Sequence, residues 1–411
     1  MESKSIRVNM NLGVMMFMQY LLIAVWWVPL AAYLANLGMS TGQKSLILSS
    51  MALGSMASPI IGSIADRHFS SEKVLAILNM LTGVLLFIAS TVVSPTWLFV
   101  CIILAMFCYM PTWSLTSSIA MVHTSANQFP RIRVFGSIGW VASGLFGLIA
   151  VRLFHLEKFD GTSLPILCGA IVSMIAAIFN FFLPKTPPPA KGQKGTIMDT
   201  LGFNAISMLK QKNFAIFLLL SFLSVIPFSF YHVYGSEFLQ DQKFELITFT
   251  MSLGQVVEIF FMIVVTSIIV RLGIKKALTF GLIALVVRYL VFFTGTHTSG
   301  FSANMFYISG VLVHGIIFGL LYVAGQVYTD KMAPNEIRAQ AQGFLAFVIW
   351  GIGFLIGTIF NGWMIGRFTT TINEIKVYQW DKMFAITTVL SIIVMVLFIV
   401  FFKDENKKST I

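Results

Sequence analysis

Charge is what this sequence has least of. Asp, Glu, Lys and Arg together supply 10% of its 411 residues, where a soluble chain carries about a quarter. A water-facing shell cannot be built from so few, which excludes an ordinary soluble globule of this length. Cysteine is nearly absent. Cys101, Cys108 and Cys168 all lie inside apolar runs without metal-ligand spacing, so neither a disulfide framework nor a metal cluster is indicated. There is also no H-E-x-x-H pattern, no nucleophile–base pairing and no stretch long and polar enough for a soluble domain, which removes the usual signatures of an enzyme or a sensor. Nothing in the chain calls for a cofactor.

What is present is apolar sequence, 57% of the chain, in runs about as long as the 20 residues a bilayer crossing requires. The runs are unbroken rather than alternating, against a membrane β-barrel. Lipid leaves backbone groups no partner outside the segment, so each run is expected to be a helix. Twelve spans are predicted, at 10–36, 42–65, 74–93, 96–120, 131–153, 163–184, 213–238, 245–270, 276–296, 303–329, 337–366 and 381–402. The first is too long for a cleavable signal and lacks a cleavage site. The expected class is therefore an all-α membrane protein.

The net charge of +11 invites a nucleic-acid reading, which its placement removes. Of 27 lysines and arginines, 18 fall on the side of the N-terminus, seven on the other, and Arg133 and Arg288 within spans. That asymmetry is the positive-inside rule, and it predicts both termini in the cytoplasm. The only long polar connection, about 185–212, opens on Pro184-Lys185-Thr186-Pro187-Pro188-Pro189, which cannot continue a helix. Its second half, Met198 to Leu209, has the pattern of a short amphipathic surface helix. The link divides the chain into an N-terminal six-helix bundle, 1–184, and a C-terminal one, 213–411, ending in a short cytoplasmic tail. Two such bundles suggest homologous halves related by an axis along the membrane normal.

Charges inside spans are costly and so point to function. Among the 16 acidic residues only Glu258 sits well inside a span. Gln255 precedes it by three and shares its helix face. A carboxyl in a poorly hydrated cavity can hold a proton and release it when the cavity opens to the cytoplasm, as a coupling site must. The alternative is a structural carboxylate paired with Arg288 or Arg133, and Arg288 for its part suits a packing counter-ion. In the fifth span Arg133, Ser137 and Trp140 lie on one stripe, a guanidinium, a hydroxyl and an indole able to bind a polar ligand and cover its ring. Ser229 and His232 share a face of the seventh span; His314, Phe318 and Tyr322 share one of the tenth. Gln19, Trp26 and Trp27 are weaker candidates, because tryptophan is common in membrane helices for interfacial reasons.

Two resemblances follow from these residues. Gly62-Ser63-Ile64-Ala65-Asp66-Arg67, between the second and third spans, resembles the G-x-x-x-D-R signature of the major facilitator superfamily. Gly62, Asp66 and Arg67 would there brace helix ends at the cytoplasmic face, a gating and structural role shared by Arg288. Phe129-Pro130-Arg131-Ile132-Arg133-Val134-Phe135-Gly136-Ser137-Ile138-Gly139-Trp140, with Tyr109-Met110-Pro111-Thr112, Gln255-Val256-Val257-Glu258 and Ile337-Arg338-Ala339-Gln340-Ala341-Gln342-Gly343, resembles the nucleoside:proton symporters of that superfamily over essentially the whole chain. The resemblance implies the major facilitator fold, twelve transmembrane helices in two six-helix bundles, working by alternating access as a monomer in a bacterial inner membrane. It implies nucleoside import coupled to protons, with Arg133, Ser137, Trp140, Gln255 and Glu258 at the nucleoside and Glu258 carrying the proton. Some relatives have a glutamine and an asparagine where this chain has Ser229 and His232. The best-known pattern has an aspartate after the phenylalanine of the tenth span; here Gly319 follows Phe318, which throws weight onto Glu258. A sugar or other small-metabolite symporter, or a drug exporter, is the alternative, since such carriers also use intramembrane Glu, Arg and Trp.

Overall fold

The structure is a computed structural model that describes residues 2–124, 128–188, 203–334, 337–372 and 375–403; within these, the side chains at 2–5, 61–67, 130, 203–204, 338–339 and 375 fall outside the description. Among the described residues ten helices are long and apolar enough to cross a membrane, from Ile6–Asn36 to Trp380–Phe401. The shorter Leu164–Asn180 and the pair Thr41–Leu48 and Ser50–His68 complete the twelve spans. The sequence-derived limits agree to within a few residues at most ends, the largest extensions being that of the first helix, which starts at Glu2 rather than at residue 10, and that of Gly300–Met332.

The breaks inside spans have local causes. The first span divides into Glu2–Trp27 and Leu30–Asn36 at Pro29, which lacks an N–H and whose ring clashes with the preceding turn. The fourth divides at Pro111, between Pro95–Tyr109 and Thr112–His123. The all-α reading holds for the spans; outside them an antiparallel hairpin, Thr369–Ile372 with Ile375–Tyr378, joins the eleventh to the twelfth. Its Thr369, Thr370, Thr371, Ile372, Ile375, Val377 and Tyr378 are β-formers, in runs too short to register as strands beside the apolar runs. In the central link Phe203–Lys210 is a 3-10 helix with Ala205 and Met208 buried. Met198 to Gly202, the first part of the expected surface helix, lies outside the described residues.

The chain forms two compact units, residues 1–200 with 233–252, and residues 201–232 with 253–411. The first unit thus holds the 233–252 segment as well as the first six spans. Three ties fasten that segment. Lys44 and Glu237, both fully buried, form an ion pair, and beside it Ser45 Oγ and Tyr234 Oη lie 2.8 Å apart. Asn36 Nδ2 donates to Gly161 O at 2.9 Å, and Gln240 Nε2 donates to Asn36 Oδ1. Asp160, in the loop after the fifth span, accepts from Thr248 N at 3.0 Å and from Thr248 Oγ1 at 2.5 Å, capping the eighth span.

Burial pushes the Asp160 carboxyl up from its ordinary 3.8, against the opposing pull of its Thr248 hydrogen bonds. The unfolded carboxyl therefore ionises first. Its contribution to stability is fully present below 3.8 and is lost as pH rises through the raised folded value. The expected outcome is that Asp160→Asn flattens the melting temperature against pH between 3.8 and the raised folded value. An unchanged slope would show that other groups set it.

Candidate substrate and proton site

In the first unit, the fifth span starts at Phe129 with Pro130 in its first turn, where a proline fits because its N–H is not needed. Ten residues on, Gly139 allows a close helix crossing. A Cβ there would lie 2.1 Å from Phe17 O, so no other residue lets the first and fifth spans meet at this point. The crossing sets the Arg133 guanidinium 4.3 Å over the Tyr20 ring, a cation–π pairing. Tyr20 stacks on Trp113 with centroids 5.7 Å apart. Trp113 Nε1 donates to Tyr109 Oη, and Tyr109 Oη to Gln19 O, both at 2.8 Å.

The helix break at Pro111 turns Thr112 inward, where it accepts from Gln19 Nε2; Asn79 Nδ2 donates to Gln19 Oε1 at 2.9 Å. The Y-M-P-T segment thus builds the polar floor beneath Arg133. Ser137 is buried and Trp140 half-buried on the same helix, and Arg133 Nη1 is buried without a hydrogen-bond partner. Trp26 and Trp27 pack edge-on at 5.6 Å, and Trp26 lies against Gly169, so they serve the helix interface. Gly62, Asp66 and Arg67 lie in the helix Ser50–His68, but their side chains are outside the described residues.

In the second unit, Gly315 does for the eighth and tenth spans what Gly139 does for the first and fifth. A Cβ there would lie 2.1 Å from Glu258 N. The contact brings His314 Nε2 to 3.6 Å from Glu258 Oε2, and His314 Nδ1 is 3.0 Å from Arg288 Nη2 of the ninth span. Arginine only donates, so Nδ1 must accept, and the ring hydrogen then sits on Nε2, facing the carboxylate. Glu258, His314 and Arg288 form one directional chain. Arg288 is 0% exposed, and its Cζ lies 4.5 Å over the Tyr231 ring and 5.9 Å from that of Phe228.

His232 packs 5.1 Å from His314 and 4.7 Å from Phe228, and Tyr322, Phe318 and Trp350 continue the aromatic wall. Gln255 and Glu258 are both buried. Ser229 stands apart from this group. Its hydroxyl donates to Ile226 O and accepts from Asn361 Nδ2 at 2.9 Å. Gly319 packs on Phe261, so an acidic side chain in its place would meet the eighth span.

The motifs brought Arg133 and Glu258 into view, but Tyr20, Trp113, Phe228, Tyr231 and Trp350 went unremarked. Trp113 follows Y-M-P-T and Tyr231 precedes His232, so adjacency was an available signal for these two. Trp350 had none, because its face is set by irregular winding of its helix.

Comparison with known proteins agrees with this architecture. The family model for the nucleoside H+ symporter matches residues 6–407. The putative nucleoside transporter YegT of Escherichia coli (strain K12) is 34% identical over 97% of this chain and 95% of its own length. The xanthosine permease of the same organism is 26% identical over 98% of each chain. The crystal structure of the nucleoside transporter NupG superposes with a TM-score of 0.82 at 25% identity, covering 96% of this chain and 99% of that one. With its twelve spans in the major facilitator arrangement and the family match running over nearly the whole chain, this protein belongs to the nucleoside:H+ symporter family, whose members are carriers rather than enzymes, and is a multi-pass membrane carrier.

Proposed function

We propose that in the proton-coupled nucleoside import of its family, this carrier uses Glu258 as the proton site and Arg133 as the principal nucleoside donor. The single observation behind the first assignment is the Glu258–His314–Arg288 chain, enclosed by aromatic rings. With Glu258 ionised, the carboxylate offsets the buried guanidinium across a neutral imidazole. A proton on Glu258 removes that offset and leaves one uncompensated positive charge, a large electrostatic change where burial limits screening. Proton arrival is thereby converted into a difference between two states of the carrier, which is what coupling in alternating access requires. His314 is a positioning residue. Its Nδ1 is held by Arg288, so it transmits charge between the two groups without taking the proton itself.

Arg133 offers a buried, unpaired donor above Tyr20, suited to a ribose hydroxyl or a base carbonyl, with Ser137 and Trp140 beside it. Gln255, His232, Phe318 and Tyr322 supply further polar and stacking contacts. Arg133→Lys loses the planar fork. It is expected to raise KM about 10- to 100-fold, the range of a charge-assisted hydrogen bond. An unchanged KM would remove Arg133 from the nucleoside contact.

The wider assignment rests on the positive-inside charge pattern and the bacterial relatives: two six-helix repeats, 1–184 and 213–411, joined by a cytoplasmic link at 185–212. The carrier acts as a monomer in the inner membrane, both termini cytoplasmic, surrounded by lipid and without a nucleic-acid partner. Uptake of labelled uridine and adenosine into proteoliposomes, with and without an inward proton gradient, tests the whole reading. Unlabelled nucleosides should block it and sugars should not; block by a sugar would favour a sugar symporter.

A further inference from the structure

We propose that Tyr109 and Trp113 of the fourth span are positioning residues for nucleoside binding, acting through Tyr20 to hold the Arg133 guanidinium in place before the ligand arrives. The inference rests on Arg133 as the nucleoside donor, as read above.

Arginine is a long side chain with many rotamers, and ordering it at the moment of binding lowers affinity. Here the ordering is done beforehand by groups from three spans. The Arg133 guanidinium of the fifth span lies over the Tyr20 ring of the first. Tyr20 in turn stacks on Trp113 of the fourth, with 19° between the ring planes. A missing side chain makes the room for this. A Cβ at Gly136, three residues on from Arg133, would lie 2.8 Å from Tyr20 Cδ2 and 2.9 Å from Arg133 Nη1. Any larger residue there would displace the phenol or the guanidinium.

Trp113 is itself fixed. Its Nε1–H donates to Tyr109 Oη one turn earlier, and its ring meets the Tyr109 ring edge-on at 6.2 Å. The Tyr109 hydroxyl then donates to the carbonyl of Gln19, the residue preceding Tyr20. One phenol therefore controls Tyr20 twice, through the indole its ring stacks on and through the backbone that carries it. The Gln19 side chain extends the clamp. It exchanges hydrogen bonds with Asn79 of the third span, and Ser173 of the sixth donates to Asn79 O at 2.8 Å.

Polar side chains also serve as glue between membrane helices, and a fully paired network rigidifies what it holds. What marks this one is where it ends. Gln19, Asn79, Tyr109, Thr112 and Ser173 are all buried and all hydrogen-bonded. Within the group, among the described residues, Arg133 Nη1 is the one buried side-chain atom with no hydrogen-bond partner. The network terminates on an unused donor, held by residues whose own hydrogen bonds are already made.

The test is equilibrium binding of labelled uridine and adenosine to the purified full-length carrier. Tyr109→Phe keeps the ring and removes the hydroxyl. It is expected to weaken binding about 2- to 12-fold, the range for ordering one long side chain on binding. Trp113→Leu is expected to do the same, and Trp113→Phe, which keeps a flat ring for Tyr20, to recover most of the affinity. The deciding measurement repeats Tyr109→Phe in an Arg133→Lys background, where a point charge replaces the planar group. Positioning through Arg133 predicts no further weakening there. A general loosening of the bundle would weaken binding equally in both backgrounds, and that result overturns the inference. So does wild-type affinity in Tyr109→Phe and Trp113→Leu alike. If Tyr109→Phe fails to fold, Trp113→Leu, at a half-buried position, enters the same cycle. Wild-type affinity in Arg133→Lys itself would instead defeat the reading of Arg133 as nucleoside donor.

Discussion

Glu258→Gln is expected to lower nucleoside accumulation driven by a proton gradient to a ratio of about one, while exchange of internal for external nucleoside continues. A gradient of one pH unit is worth about 1.4 kcal/mol per proton, or about tenfold accumulation when one proton accompanies each nucleoside. Glutamine keeps the size of the side chain and leaves an oxygen to face His314 Nε2, so the fold and the aromatic wall are retained. What it cannot do is change charge. The buried Arg288 then stays permanently without its compensating carboxylate, and the two protonation states that gradient energy distinguishes become one. Exchange survives because it needs only the reorientation of the loaded carrier. The decisive measurement is uptake in proteoliposomes at matched and unmatched pH. Accumulation above unity by the variant, with its pH dependence intact, would place the proton elsewhere.

The other large effect concerns stability. Lys44 and Glu237, 193 residues apart in sequence, are paired with side chains 2% and 1% exposed. Removing one partner strands the other as a buried charge, which costs about 3–5 kcal/mol. Lys44→Met and Glu237→Leu are each expected to melt at markedly lower temperature in detergent. The double variant is expected to recover most of the loss, because two apolar side chains of similar volume replace a buried pair at little net cost. Thermal unfolding of the four proteins in a double-mutant cycle reads the coupling directly. Additive losses would mean that each residue acts through separate contacts and that the pair is incidental.

These predictions differ in how far the sequence could support them. Glu258 was legible because an acid in the middle of an apolar run is rare, and bilayer energetics make rarity informative. Arg133 was legible for the same reason, reinforced by its motif. Arg288 was named as a counter-ion for Glu258, but the residues in direct contact with Glu258 and Arg133 were not legible. His314 was picked out as a ligand-facing residue, and the structure places it between Glu258 and Arg288, as a bridge. Ser229, grouped with His232 by helical spacing, has its hydroxyl engaged by Ile226 and Asn361. A period of 3.6 says which residues share a face, not which neighbour that face meets. The Lys44–Glu237 pair lay at span ends, where charged residues are ordinary and their pairing leaves no local trace.

By itself the sequence determined the solvent. Its twelve apolar runs leave helices as the structure available to them, because hydrocarbon offers no hydrogen bonds to an unpaired backbone. It also determined where charge is too costly to be accidental, and so which side chains to suspect. The tertiary structure decided what those side chains do. Gly139 and Gly315 let particular helices approach closely enough to seat Arg133 over Tyr20 and His314 against Glu258. Two stretches of π winding turned the tenth and eleventh spans so that Phe318 and Tyr322 meet Trp350. Contacts between distant segments and departures from regular winding depend on packing across the whole molecule, and no local pattern of residues encodes them.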